Sequence, residues 1–203
     1  RQFYKRNIPT DVISVDDDFS QYDLVVAPVL YMVKPGLGKK IENYVAAGGH
    51  FMTSFMSGMV DSSDNIYPGG YPGPLKKVTG VWVEESDAVV PGHQTKITID
   101  GQEHAAHLIC DLIHLEGAKS LGEYANEFYA GTPAVTENKF GRGTAWYVGS
   151  RLDHDGLSPV IDRAVTASGI TPLTDQPTEV EIAKRVTLDG QPLYFVMNMS
   201  NHQ

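Results

Sequence analysis

The residues most able to do chemistry in this sequence are Cys110 and His114, which lie four positions apart. In a helix that spacing would place both side chains on one face, and a thiol beside an imidazole is the nucleophile and base of a thiol hydrolase. Cys110, however, lies between Ile109 and Asp111 in an apolar run, and no glycine-flanked turn exposes it. Cysteine in such a run commonly serves as a small core residue. We favour a core role and keep a free-standing amidase or thiol hydrolase as the alternative.

Histidines form a second group that could bind a metal ion. His104 and His107 are three positions apart with Glu103 beside them, but they lack the HExxH spacing or third ligand of a metal-binding helix. We predict that both are surface residues. His50 follows Gly49 and enters an apolar run, which indicates a residue of the core or of a strand edge. The sequence therefore predicts no metal site and no bound cofactor in this chain.

Three acidic clusters could supply carboxylates: Glu84-Glu85, Asp153-His154-Asp155 and Asp16-Asp17-Asp18. Glycoside hydrolysis needs two carboxyl groups placed across one bond, and nothing in the sequence selects such a pair. A run of three aspartates could bind a hard cation through oxygen. Without the further spaced ligands of a calcium loop, a solvated turn is the better interpretation.

The pair Ser57-Gly58 follows an apolar run that we interpret as a strand. Open α/β sheets place their sites at the carboxyl ends of strands, where amidotransferase-like and hydrolase folds hold a nucleophile. The residues from Thr53 to Met56 contain no glycine that could form a nucleophile turn before a serine. We interpret these residues as occupying the position of an active site without the nucleophile turn that catalysis would need, and we predict no catalytic residue in the chain.

The stretch from Tyr22 to Gly58 is the framework around which these residues can be arranged. An apolar run over 24–30 predicts a strand, and apolar residues at three- and four-residue steps over 37–47 predict an amphipathic helix that ends at Gly48-Gly49. A second apolar run over 50–56 predicts another strand. Strand, helix and strand in this length predict a parallel pair with a right-handed crossover.

The remaining chain contains mostly short strand patterns. Strands are predicted over 10–15, 95–99, 119–125 and 134–136, whereas the register of 105–115 is ambiguous. The turn 138–143 predicts a hairpin with the following strand, with Phe140 and Trp146 on its buried side. A short helix is predicted over 157–168, a linker over 172–177, and a closing hairpin over 180–188 and 193–199.

The stretch from Met59 to Pro74 is rich in proline, glycine and tyrosine. So many chain breakers exclude a long regular element. Long ordered loops in compact domains are usually functional, and tyrosines held among proline and glycine are typical of contact surfaces. A loop that packs only on its own domain is the alternative.

Composition limits the classes of partner. The chain has 203 residues, a formal net charge of -9 and a pI near 5.1, with no basic cluster, so a nucleic-acid partner is not expected. No apolar run reaches membrane-spanning length, no signal pattern is present, and one cysteine excludes an internal disulfide. These features are consistent with a protein of a reducing, cytoplasmic compartment.

The first residues, from Arg1, resemble the end of a helix, and the last residues form a predicted hairpin. We therefore expect this chain to be a fragment of a longer protein.

Three long stretches resemble glycoside hydrolase family 42 β-galactosidases. They are YDLVVAPVLYMVKPGLGKKIENYVAAGGHFMTSFMSGMVD, the loop GGYPGPLKKVTGVWVEE, and LICDLIHLEGAKSLGEYANEFYAGTPAVTENKFGRGTAWYVGSRLD. Residues from Arg1 to about Asp153 are similar to that family's trimerisation domain. Residues from about Thr178, including the closing hairpin, are similar to the start of its small C-terminal β domain.

The resemblance implies an α/β fold of the flavodoxin-like or class I glutamine amidotransferase-like kind, an open parallel sheet with helices on both faces, without the amidotransferase nucleophile. The expected domains are 1–172, the trimerisation domain, and 173–203, a linker and the first hairpin of a truncated β domain. It further implies a homotrimeric hydrolase that releases terminal non-reducing β-D-galactose with retention of configuration. The family's two catalytic glutamates and a possible structural zinc belong to a barrel domain that these residues do not match, so no catalytic, cofactor-binding or metal residue is carried over.

Three functional hypotheses follow. The first is an assembly module that holds subunits together and helps to wall the neighbouring active site, with the galactoside bound through the absent barrel. The second is the thiol hydrolase with Cys110 and His114. The third is a carbohydrate-binding module with Tyr67, Tyr71 and Trp82 as its aromatic platform, although aromatic residues in an acidic α/β domain more often belong to the core.

Overall fold

A computed structural model describes residues 1–174 and 179–200 of the chain. The chain divides into two compact units: Asp18–Ser168, and Arg1–Asp17 together with Gly169–Gln203. The predicted linker falls partly on 175–178, outside the described residues. Within the part of the chain that the structure describes, every helix is too short or too polar to cross a membrane.

The larger unit contains nine strands and three α-helices among its described residues. The strands are β1 (Leu24–Ala27), β2 (His50–Ser54), β3 (Val81–Ala88), β4 (Thr95–Ile99), β5 (Gln102–Leu115), β6 (Lys119–Tyr124), β7 (Pro133–Phe140), β8 (Gly143–Val148) and β9 (Ser150–Leu152). The helices are α1 (Leu37–Ala46), α2 (Lys76–Thr79) and α3 (His154–Ala167), with a 3-10 turn at Gly73–Leu75 before α2. The predicted strand, helix and strand over 24–56 are confirmed with shorter ends.

These strands form one mixed sheet in the order β1-β2-β8-β7-β6-β4-β5-β3, and β9 pairs with β5 off this path. The pairs β1 with β2 and β2 with β8 are parallel. The other pairs in the sheet are antiparallel, and tight turns connect β4 to β5 and β7 to β8 directly. The α/β class is confirmed, and the prediction of a parallel sheet is correct for three strands only.

Helices cover both faces of the parallel part of the sheet. On one face α1 buries Ile41 and Val45 against Phe51 of β2 and Ala145 of β8. On the other face α3 packs against β2, β5 and β9. This arrangement buries the central strands on both sides, which explains why their sequences are continuous apolar runs rather than alternating ones.

The hairpin of β7 and β8 is confirmed, with Phe140 opposite Gly143 and Glu137 opposite Trp146. Because side chains alternate along a strand, this register puts Phe140 and Trp146 on opposite faces. Phe140 is half-buried beside the α1 core, and Trp146 is fully buried on the α3 side. The prediction that both share one buried side is therefore wrong, because this sheet has two buried sides. Gly143 is required here, since a Cβ would lie 2.0 Å from the carbonyl oxygen of Gly49.

The smaller unit holds a 3-10 turn at Tyr4–Arg6 and an antiparallel hairpin of β10 (Val180–Val186) and β11 (Pro192–Asn198), which confirms the closing hairpin. Asn7 links these parts: its carbonyl oxygen accepts from the amide of Leu173 at 3.0 Å and its side-chain oxygen accepts from the amide of Ile182 at 3.1 Å. The strand predicted over 10–15 is wrong. Residues 10 to 15 are exposed and do not adopt a strand, and alternation produces a strand only where a neighbour supplies hydrogen bonds.

Candidate functional site

Cys110 and His114 do not form a catalytic pair. Both lie on β5, where four residues of extended chain separate their backbones by about 13 Å. Cys110 is buried, as predicted, and its Sγ lies 3.7 Å from Oγ of Ser150. Burial raises the pKa of the Cys110 thiol, which keeps it protonated and a poor nucleophile.

His114 belongs instead to an exposed group on the edge of the sheet. Its Nε2 lies 2.8 Å from Oε2 of Glu84 on β3, and its ring stacks on Trp82 with centroids 4.6 Å apart. The carboxylate and imidazole are each about half exposed, so solvent screens their attraction. This arrangement stabilises the pairing of β3 with β5 and supplies no nucleophile.

The other histidines are dispersed. His104 and His107 lie on opposite faces of β5, because an odd spacing in a strand reverses the direction of the side chain. His107 is exposed, as predicted, whereas His104 is half-buried under α3, beside Gly156. The ring of His50 lies 5.9 Å from that of Trp146, centroid to centroid, at a tilt of 32°, and desolvation lowers the pKa of the imidazole. Among residues 1–174 and 179–200, no three His, Cys, Asp or Glu side chains are placed to share a metal ion.

The acidic clusters have local structural roles. Asp153 is the N-cap of α3, and its Oδ1 accepts a hydrogen bond from the amide of Gly156 at 2.7 Å. Asp155 is almost fully exposed, and its Oδ1 lies 3.5 Å from Nδ1 of His154. Asp17 and Asp18 accept hydrogen bonds from the amides of Ser14 and Ser20, which closes the acidic turn.

Ser57 lies where we expected a site position, at the carboxyl ends of β1 and β2, but it is completely buried. Its Oγ is 2.7 Å from Oγ1 of Thr53 and accepts a hydrogen bond from the amide of Leu30 at 2.9 Å. Thr53 in turn donates to the carbonyl oxygen of Ala27 at 2.8 Å. These bonds hold the loops after the two strands together, so the hydroxyl of Ser57 is structural.

The three aromatic residues proposed as a sugar platform do not form one. Tyr67 packs against the α1 core and donates to the carbonyl oxygen of Val33 at 2.6 Å. Tyr71 packs against a second core cluster and bridges to Val83 of β3, while Trp82 stacks on His114. The tyrosines therefore anchor the proline- and glycine-rich loop to the domain instead of presenting flat faces to a ligand.

Asp111 of β5 is a buried carboxyl group with a raised pKa, and it was not predicted from the sequence as a site residue. Its Oδ1 accepts from Oγ of Ser86 at 2.6 Å, and its Oδ2 accepts from the phenol of Tyr147 at 2.6 Å. The phenol of Tyr124 donates to the backbone oxygens of Asp111 and Gly149 at 3.1 and 3.3 Å. The sequence does contain one indication of this site: Asp111 is the single acidic residue in the apolar run Leu108–Leu115. A carboxyl group buried in such a run needs hydrogen-bond partners.

Desolvation raises the pKa of Asp111 to about 6, although hydrogen bonds from Ser86 and Tyr147 oppose the shift. Burial likewise raises the pKa of the Tyr147 phenol far above its ordinary value. A carboxyl with a raised pKa is a candidate acid or base when a ligand can reach it. Asp111 is 1% exposed, and each of its carboxyl oxygens accepts a hydrogen bond from the protein, so we assign it a structural role.

An open groove of about 530 Å³ lies along α3, lined by Asp100, Glu137, Pro159, Asp162, Arg163, Thr166 and Ala167. Arg163 pairs with Asp100 at 2.5 Å, and Glu137 accepts a hydrogen bond from Nε1 of Trp146 at 3.2 Å. Arg163, Asp100 and Glu137 of the groove thus interact with other residues of the protein.

Exposed apolar side chains gather near the carboxyl ends of β1 and β2. We call this set the strand-end patch, and its members are Val29, Tyr31, Met32 and Ile66. Single backbone bridges join Met32 to Val60 and Val60 to Ile66, which brings the two loops side by side. Exposed apolar groups that cluster in this way mark surfaces for association.

Comparison with known proteins identifies the family of this chain. A family model described as "Beta-galactosidase trimerisation domain" matches residues 1–171. The β-galactosidase LacA of Lactobacillus acidophilus is 63% identical over 203 residues, which cover 100% of this chain and 30% of that protein. The β-galactosidase BgaA of Planococcus sp. strain SOS Orange is 45% identical over 206 residues, covering 98% of this chain and 30% of the relative.

Solved structures give the same result. The β-galactosidase from Bacillus circulans sp. alkalophilus superposes with a TM-score of 0.92 at 45% identity, over 97% of this chain and 30% of that chain. The enzyme from Rahnella sp. R3 superposes with a TM-score of 0.91 at 36% identity, over 98% of this chain and 30% of that chain. This chain spans about 30% of the length of the curated relatives that it matches. It belongs to the β-galactosidase trimerisation domain family.

Proposed function

We propose that this chain is the non-catalytic assembly domain of a β-galactosidase that hydrolyses terminal non-reducing β-D-galactosides with retention of configuration. In this proposal three identical subunits form a homotrimer, and the domain helps to wall the active site of a neighbour. The match to a trimerisation domain and the identity to enzymes named as β-galactosidases support it. Galactoside binding and bond cleavage are assigned to a barrel domain outside these residues, together with any structural zinc.

One observation carries the proposal. Both nucleophile candidates that the sequence nominated, Cys110 and Ser57, are buried and hydrogen-bonded within the protein's own structure. Cys110 is buried about 13 Å along β5 from His114, and Ser57 is buried in a network of loop hydrogen bonds. The groove along α3 is lined by neither a cysteine nor a histidine, whereas apolar side chains are exposed at the strand-end patch.

The finer architecture belongs to the same proposal. We infer that residues 1–172 form a glutamine amidotransferase-like trimerisation domain and that 173–203 form a linker and the first hairpin of a C-terminal β domain. The parallel strands β1, β2 and β8, covered by helices on both faces, support the first part. A cytoplasmic location also belongs to it, and the chain's single free, buried cysteine is compatible with a reducing compartment.

Sedimentation of the intact polypeptide that contains this chain tests the assembly role. The expected result is a trimer at micromolar concentration. A fully active monomer at that concentration would overturn the proposal.

Turnover measurements test the assignment of catalysis. The isolated chain should not hydrolyse an aryl β-galactoside or an amide, and Cys110→Ala should leave the galactosidase turnover of the intact enzyme unchanged. Hydrolysis by the isolated chain that is lost in Cys110→Ala would instead support the thiol hydrolase.

A further inference from the structure

We propose that the strand-end patch is a surface through which one copy of this chain contacts the next. This inference rests on the proposed assembly function and names the surface that carries it. The partner that binds the strand-end patch is a second copy of the chain.

The patch is built from two loops that the backbone ties together. The amides of Met59 and Val60 both donate to the carbonyl oxygen of Tyr31, at 2.9 and 3.2 Å, and the amide of Val33 donates to Val60 at 3.0 Å. The amide of Tyr67 donates to the carbonyl oxygen of Met59 at 3.0 Å. Because these bonds fix both loops, the exposed side chains of the patch occupy defined positions before any partner binds. Preorganisation of this kind reduces the entropy lost on association.

Val29 shows that the fold accepts strain to form this surface. Its φ is 51°, in the left-handed region that a β-branched residue rarely adopts. The amide of Val29 donates to Oγ of Ser54 at 2.9 Å, and the amide of Leu30 donates to Oγ of Ser57, so a serine at the end of β2 and a serine of the loop after it hold the turn. Strained backbone that the surroundings hold in place occurs preferentially at functional positions.

Charge favours this surface for contact between copies. The chain carries a formal net charge of -9, so two copies repel each other over most of their surfaces. The segments that form and support the patch, 24–33, 50–60 and 65–75, contain no Asp, Glu, Lys or Arg. Depletion of charged residues with retention of tyrosine and methionine is characteristic of the core of protein interfaces. Here the acidic residues Asp61 and Asp64 lie at the rim, between two of these segments.

Another group of exposed apolar residues provides a comparison. Val90 and Phe128 are exposed, but the carboxylate of Glu127 and the salt bridge between Lys96 and Glu103 place charges in the same loops and strands. Val90 is 68% exposed and Ile66 is 67% exposed, and both are β-branched. Val90 is therefore a matched control position for Ile66.

In a closed trimer each subunit meets its two neighbours through two different faces, so every interface contains one patch. A single substitution in the patch consequently alters all three interfaces at once. The test is sedimentation of the intact enzyme with Ile66→Lys, with Val90→Lys as the control. Ile66→Lys should raise the dissociation constant of the trimer about ten-fold or more, because a buried interfacial lysine loses its hydration. Val90→Lys should leave it unchanged.

The outcomes separate the two proposals. A monomeric wild-type enzyme overturns the assembly function itself. A trimeric wild type with an equally stable Ile66→Lys trimer overturns only the assignment of the surface, as does equal dissociation of both lysine variants. Circular dichroism and thermal unfolding of the variant monomers show whether they are folded, and Ile66→Ala, which adds no charge, should weaken the trimer less than Ile66→Lys.

A labelling experiment gives an independent readout. The native Cys110 of this chain is buried, so a thiol-reactive fluorophore should label Ile66→Cys selectively over Cys110, with Val90→Cys as the matched control. Any cysteine elsewhere in the intact enzyme is accounted for by subtracting the label taken up by the wild type. The emission at position 66 should shift to shorter wavelength as the concentration rises through the association range, while emission at position 90 stays constant. A constant spectrum at position 66 across trimer formation overturns the inference.

Discussion

The phenol of Tyr147 on β8 donates a hydrogen bond of 2.6 Å to Oδ2 of Asp111 on β5, although each residue is only 1% exposed. The two strands are not neighbours in the sheet order, but β9, which follows β8, pairs with β5, and the amide of Asp111 donates to the carbonyl oxygen of Gly149 at 2.8 Å. A hydrogen bond to an ionised carboxylate is stronger than one between neutral groups. The protonation state of Asp111 should therefore influence the stability of the whole sheet.

Stability should fall as the pH rises through the range in which Asp111 ionises. The pKa of Asp111 is about 6 in the folded protein, above its ordinary value of 3.8, so folding favours the protonated carboxyl. The contribution is fully present below pH 3.8 and is lost as the pH approaches and passes 6. The difference corresponds to about 3 kcal/mol of unfolding free energy.

The variant Asp111→Asn isolates this effect because asparagine cannot ionise. We expect the wild type to lose up to about 3 kcal/mol relative to the variant between pH 4 and pH 7. Urea unfolding followed by tryptophan fluorescence at several pH values measures it. Taking the difference between the two proteins cancels the contribution of other acids such as Asp18 and Asp61, whose pKa values hydrogen bonds lower. A difference that does not change with pH would contradict the prediction.

Removal of the Tyr147 hydroxyl should be most costly when Asp111 is ionised. Tyr147→Phe is expected to lower the unfolding free energy by about 1.5–3 kcal/mol above pH 6, and by less at pH 4, where the carboxyl is neutral. The matched control is Tyr124→Phe, whose hydroxyl donates to backbone carbonyl oxygens. Its cost should be about 0.5–1.5 kcal/mol and similar at both pH values. Equal pH dependence for the two variants would show that the charge of Asp111 does not determine the effect.

The sequence predicted secondary structure correctly where the local spacing of apolar residues and turn residues determines the structure of a segment. The helix over 37–46 follows from apolar spacing and a glycine stop, and the hairpins follow from turns such as Phe140 to Gly143. Pairing in the sheet was less predictable. Residues 105–115 gave an ambiguous register because β5 contacts β4, β9 and β3 in turn, and it changes register at Leu108, whose φ is 71°.

Long-range contacts explain what the sequence did not indicate. Asp111 lies close to Ser86 and Tyr147, which are 25 and 36 positions away, so no local spacing could reveal their hydrogen bonds. The candidate pair of Cys110 and His114 depended on helical spacing, and the strand that forms instead separates them. Ser57 was placed correctly at the strand ends, but its burial depends on the loop from 28 to 33 folding over it.

Cys110 should be unreactive in the folded protein. Its thiol is buried and its pKa is raised by burial, so both the access and the thiolate needed for reaction are lacking. We expect no reaction of this chain with a disulfide reagent under native conditions and one equivalent in denaturant. Rapid native labelling, at the rate of a free cysteine, would contradict the burial of Cys110 and reopen the thiol hydrolase hypothesis.

Ser57→Ala should destabilise the protein without removing any catalytic group. The substitution leaves the amide of Leu30 and the hydroxyl of Thr53 without the partner that Ser57 provides, at an expected cost of about 1–3 kcal/mol. Thermal unfolding measures the loss. At temperatures where the variant is folded and trimeric, the intact enzyme should keep its galactosidase kcat, whereas a nucleophile at this position would make the activity vanish.

Asp153→Ala should shorten or weaken α3, because Asp153 provides the side-chain cap of that helix. Its Oδ1 accepts the amide hydrogen of Gly156, and a carboxylate at this end also interacts favourably with the helix dipole. We expect a loss of about 0.5–2 kcal/mol in unfolding free energy. Asp155→Ala is the matched control, since its carboxylate lies two residues further along and is almost fully exposed. Urea unfolding that ranks the two variants equally would mean that general charge near the helix end, and not the cap, stabilises α3.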